Sequence, residues 1–242
     1  MASETHAAGH GILHHHFDDL GQQRESNTLG AWLFLATELM MFGGLFLAYS
    51  LYRWQFPGAF HAGSEHLNIT LGTINTFVLL ASSFTMAMAV HSAGTGNKQK
   101  LLFYLTLTWL FGAAFLGIKA VEWTTDWNEG LVPGFHWFYY NEPKHAAQIP
   151  ELFNKWATTP DQVLLYFVVY FSMTGLHAIH MIVGLGGVTW YIVLAARNQF
   201  VGGNDQPVEI VGLYWHLIDI IWIFLFPLLY LVAGFHPGGG TH

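Results

Sequence analysis

The chain has 242 residues, of which 53% are hydrophobic and only 10% charged, with a net charge of −7 and no cysteine. A soluble domain carries about a quarter charged residues, so this balance places the chain in a membrane. Without cysteine it has no disulfides, zinc–thiolate sites, iron–sulfur clusters or c-type haem attachment, and eight basic residues make no nucleic-acid-binding surface.

Residues 1–28 read as a flexible, polar, His-rich tail. The tail lacks the basic start and apolar core of a signal peptide. The consecutive histidines His14 to His16 within it offer at most a weak metal site. Five apolar segments follow, at about 29–52, 68–91, 101–122, 161–195 and 209–234. Each exceeds the roughly 20 residues a helix needs to cross the hydrocarbon core. The expected fold is all-α, a polytopic membrane protein with five transmembrane helices in one bundle over residues 29–242. Thr159-Pro160-Asp161-Gln162 carries an N-cap, a first-turn proline and a glutamine in capping-box position. Gly94 and Gly96 close the second span, and Gly202 and Gly203 follow the fourth. The small residues Gly43-Gly44, Gly112 with Gly117, and Gly184 to Gly187 are expected where helices approach closely.

Lysine and arginine near the span ends set the direction of insertion. With the N-terminus inside, Arg24, Lys98, Lys100 and Arg197 lie inside, against Arg53, Lys144 and Lys155 outside. The expected orientation therefore has the N-terminus on the inner, cytoplasmic side and the C-terminus on the outer side. The long 123–160 loop, rich in Trp and Tyr, then faces outward and offers a surface for an extra partner.

An ionisable side chain inside a span is a functional hypothesis with an expected partner. Here these are Glu38, Lys119, Glu122, His177, His180, His216 and Asp219. Spacing of three puts His177 with His180, His216 with Asp219, and Lys119 with Glu122 on common helix faces. His216 could donate to Asp219, or Asp219 could accept from a neighbouring span. At about 1.5 Å per residue, Glu38, Ser82, Ser83, His216 and Asp219 form one polar layer in the inner half, with His180 a little deeper. Lys119 and Glu122 form a separate outer layer. Glu38 is the leading candidate for a buried protonatable site; helix-bridging hydrogen bonds are the plainer reading of the others. The histidine spacing for stacked haems is missing, and no nucleotide-binding, nucleophile or zinc-protease motif is present. The chain itself offers no catalytic centre and no metal site.

Four stretches together resemble subunit III of the haem-copper oxidases: TELMMFGGLFLAY (37–49), LGTINTFVLLASS (71–83), TGLHAIHMIVG (174–184) and LYWHLIDIIWIFLFPLLYL (213–231). Five spans match the short bacterial form, which lacks the first two of the seven helices of the mitochondrial type. The resemblance implies a non-redox subunit that packs mainly against subunit I, alongside subunit II, of a complex that reduces dioxygen to water and pumps protons. It implies no haem or copper in this chain, both lying in partner subunits, and tightly bound phospholipid. It makes Glu38 the buried carboxylate associated with carbodiimide modification and proton uptake. It makes His177 and His180 structural or lipid-contacting, with Glu122, Glu209, His216 and Asp219 as further motif positions. On family frequency the expected complex is a cytochrome c oxidase. The alternatives are subunit III of a quinol oxidase or a nitric-oxide-reductase-associated relative, or, from another class, a small transporter or membrane cytochrome.

Overall fold

The computed structural model describes residues 20–134, 136–137, 154–197 and 206–232. Five helices are long and apolar enough to cross a membrane: α1 (Leu20–Gln55), α3 (Ile69–Gly94), α4 (Lys98–Glu129), α5 (Pro160–Ala196) and α6 (Gln206–Tyr230). A short helix α2 (Pro57–Ser64) and a hairpin of β1 (Leu131–Val132) with β2 (His136–Trp137) complete the described elements. The all-α, five-span expectation holds.

Local chemistry sets the boundaries. Asn68 caps α3 by accepting from the Leu71 N–H at 3.1 Å, and Asn97 caps α4 by accepting from Lys100 at 3.2 Å. At α5 the Gln162 side chain accepts from the Thr159 N–H at 3.3 Å, as the capping-box spacing predicts. α4 ends on Gly130 in the left-handed conformation, φ 76°. The Pro133-Gly134 pair turns the hairpin, with Gly134 at φ 78°.

Three boundaries differ most from expectation, and the first is α4, which runs to Glu129 rather than to about 122 because its stop signal is the left-handed Gly130. α1 starts at Leu20 rather than near residue 29, because its polar first turns contain no proline and their backbone bonds are made within the helix. α6 stops at Tyr230 rather than at 234. Residues 1–19, residues 135 and 138–153 of the long loop, and Gly202-Gly203 lie outside the described residues.

α3, α4, α5 and α6 enclose the core, in which Trp215, Trp222, Tyr166, Tyr170, Tyr230 and Phe115 are fully buried. α2 packs its buried Phe60 edge-on against Tyr49 of α1 and Tyr166 of α5. α1 is the outlier. Most of its apolar side chains, among them Leu33, Leu39, Met40 and Leu47, are exposed. The close helix approaches fall partly where expected. A Cβ on Gly112 would come to 2.8 Å of the Trp215 ring, and one on Gly184 to 3.1 Å. Gly43, Gly44, Gly117, Gly186 and Gly187 have no neighbour in that position. The expectation for those glycines is corrected: Gly43, Gly44, Gly117 and Gly186 are exposed and Gly187 borders a cleft, since the chain's own helices meet elsewhere.

Candidate functional site: three polar clusters in the bundle

The first cluster joins α1 to α5. His180 Nε2 lies 2.8 Å from Glu38 Oε2, with both side chains 14% exposed. Its Nδ1 donates to the Leu176 carbonyl one turn back, at 2.7 Å. Phe42 presents an edge to the imidazole at 5.3 Å, and the Tyr214 hydroxyl of α6 donates to the His180 carbonyl at 3.2 Å. Glu38 thus finds an imidazole, as a buried carboxylate should, but it is that of His180. The expected layer of Glu38 with Ser82, Ser83 and His216 is not formed around it.

The second cluster ties α4, α5 and α6 together. Lys119 Nζ donates to Glu122 Oε2 (3.1 Å), Tyr170 (3.2 Å) and Tyr230 (2.7 Å). Both tyrosine hydroxyls donate in turn to Glu122 Oε1, at 3.0 and 2.5 Å. All three ammonium protons and both carboxylate oxygens are used, as a buried ion pair requires. The ammonium also sits over the Trp222 ring, 5.3 Å from its centre. Sequence spacing predicts the Lys119–Glu122 pair. It misses Tyr170 and Tyr230, whose contribution depends on how three helices meet. It also misses Asp126, 4% exposed, whose Oδ2 has no hydrogen-bond partner. Its position four residues beyond Glu122 on the same face was the available signal.

The third cluster joins α3 to α6. Ser83 Oγ pairs with His216 Nδ1 at 2.8 Å, and Ser82 accepts from Trp215 Nε1 at 3.0 Å. The Trp222 indole donates to Thr76 at 3.1 Å. His216 and Asp219 therefore do not form the expected pair. The His216 ring turns to Ser83, which also lies beside Asp219. Neither Asp219 oxygen makes a hydrogen bond of good geometry.

His177 is likewise separated from His180. It lies 1% exposed between Phe115 and Trp222, with no hydrogen bond at either ring nitrogen. The expectation that it bridges helices by hydrogen bonding is corrected. The 60° between the two histidines turns one to the core and one to α1. Glu209 is exposed in the first turn of α6, and with Glu25 it lines the mouth of a surface recess. Among the described residues, no three His, Asp or Glu side chains converge to hold a metal ion.

An all-helical polytopic bundle whose polar groups bond to one another across helix seams defines a multi-pass membrane protein. Comparison with known proteins narrows this. Residues 145–234 match the family model for cytochrome c oxidase subunit III. The chain is 27% identical over 224 residues to the probable quinol oxidase subunit 3 of Staphylococcus haemolyticus, covering 91% of this chain and 96% of that protein. It is 28% identical over 207 residues to the quinol oxidase subunit 3 of Bacillus subtilis, covering 86% and 87%. These matches support a likeness of the chain to subunit III of the haem-copper oxidases.

Proposed function

We propose that this chain is the non-redox subunit III of a quinol-oxidising terminal oxidase in a bacterial plasma membrane. Its partners are subunits I and II, and the haem and copper lie in those partners. The observation that carries the choice of donor is the set of relatives: proteins named quinol oxidase subunit 3 align with about nine-tenths of the chain. This favours quinol over the cytochrome c donor expected on family frequency.

In this reading the chain stabilises the catalytic subunit, and Glu38 supports proton uptake. Its support is geometric: among the described residues Glu38 is the one carboxylate that α1 turns inward, while Leu39, Met40 and Met41 after it face outward. A cleft of about 260 Å³ between Phe34 of α1, Val183 and Gly187 of α5 and Val211 of α6 is almost wholly apolar and suits a phospholipid acyl chain. The exposed apolar face of α1 is the surface available to subunit I.

The test is to purify the intact complex through a tag on this chain and assay oxygen consumption with a reduced quinol and with reduced cytochrome c. Quinol is expected to sustain turnover. Turnover with cytochrome c alone would overturn the donor. In the same preparation, Glu38→Gln is expected to slow turnover or hasten its decay during catalysis; identical time courses would remove the proton-uptake role.

A further inference from the structure

We propose that His180 is the positioning residue for Glu38, and that the two hold a single shared proton which keeps α1 docked on the bundle. This deepens the reading of Glu38 given above and rests on it for the site's place in turnover.

The proton count follows from the geometry. A carbonyl oxygen only accepts, so the 2.7 Å contact to Leu176 requires a hydrogen on His180 Nδ1. Nε2 then carries either a lone pair or a second hydrogen. A lone pair 2.8 Å from Glu38 Oε2 requires a protonated carboxyl, whereas an N–H requires a carboxylate. Either arrangement places one proton in the gap and leaves the pair without net charge. Removing that proton sets a lone pair against a carboxylate at the same spacing, where both side chains are 14% exposed and little water can intervene.

The surroundings hold the ring in place. Phe42 packs against it edge-on, and Tyr214 secures the His180 carbonyl. The titratable groups near the pair are Tyr214 from α6 and, on α5 itself, His177, which is turned away against Phe115 and Trp222.

The consequence falls on α1, whose remaining surface mostly faces outward. Among the described residues its polar ties include one near its start, where Thr28 accepts from Gln206 of α6, one at its middle, where Glu38 meets His180, and one near its end, where Tyr49 donates to the Leu228 carbonyl. The amide and the phenol keep their protons across the working pH range. Of these three, the central tie is the one that depends on a proton that can leave, so proton release loosens α1 at its middle.

The experiment uses the assembled oxidase in lipid nanodiscs, as wild type, Glu38→Gln and His180→Phe. Infrared spectra across pH identify the Glu38 carboxyl signal by its loss in Glu38→Gln. In His180→Phe that signal is expected to shift in frequency and to change its proton affinity at least tenfold. Hydrogen exchange of α1 amides, corrected for intrinsic rates, is expected to rise severalfold in wild type as pH climbs through the titration. In Glu38→Gln an amide N–H donates to Nε2 at every pH, so the pH response disappears. In His180→Phe the tie is absent and the response disappears too. A Glu38 signal indifferent to His180→Phe, or the same pH response in all three proteins, overturns the proposal. If one variant does not assemble, the exchange comparison between wild type and the other decides. Oxygen consumption plays no part in these readings. A Glu38→Gln oxidase with unaltered turnover would therefore sink the proton-uptake role and leave the shared proton standing.

Discussion

Lys119 is the most exacting residue in the bundle. A cation in a membrane interior persists only where partners replace its water, and here one carboxylate and two phenols do so. Lys119→Met leaves Glu122 buried with its countercharge gone. Breaking a buried pair from one side costs about 3–5 kcal/mol. The expected result is a clear loss of thermal stability of the purified protein, or failure to accumulate. Replacing both partners by apolar residues removes the stranded charge, so Lys119→Met with Glu122→Leu is expected to unfold at a higher temperature than Lys119→Met alone. A double variant no better than the single one would show that the charges are not coupled. Asp126, one turn further on, has no second partner for its Oδ2 and is not predicted to compensate.

At the scale of elements, the four core helices and α1 obey different rules. Trp215 is seated where Gly112 of α4 and Gly184 of α5 leave room, and its indole is anchored on Ser82 of α3. A methyl on Gly112 meets that ring at 2.8 Å, so Gly112→Ala is expected to destabilise by about 1–3 kcal/mol through overpacking. Gly43→Ala, facing open space on α1, is expected to stay within about 0.5 kcal/mol of the parent in the isolated chain. Thermal unfolding of the two variants side by side checks the contrast; equal losses would show that Gly43 is also a packing site. The helices themselves were legible because span length and apolar run are local properties, and so was the cap at Thr159; the caps at Asn68 and Asn97 emerged only from the structure. The short helix α2 was not foreseen: it is eight residues long and gives no span-length signal. Its place depends on contacts with Tyr49 and Tyr166, distant in sequence.

For the whole molecule, the five described helices long enough to cross a membrane, if each crosses once, leave the start of α1 and the end of α6 on opposite sides. The slight excess of Lys and Arg on one side favours the N-terminus in the cytoplasm. Fusion reporters that work only inside or only outside are expected to place the N-terminus and the α3–α4 turn inside, and the C-terminus outside. The reverse pattern would overturn the orientation without touching the fold.

Composition and run length by themselves determined a five-span helical membrane protein, and four ordered motifs pointed to its family, because hydropathy and local motifs are properties of neighbouring residues. The spacing of Lys119 and Glu122 likewise specified their pairing, since residues three apart on a helix share a face whatever surrounds them. Which polar group meets which across a helix seam was decided only by the tertiary structure. Glu38 chose His180 over His216, His216 chose Ser83 over Asp219, and His177 turned into the aromatic core. Those choices depend on the rotation of each helix about its own axis, which is settled by the fit of side chains such as Trp215 and Trp222 against three other helices at once.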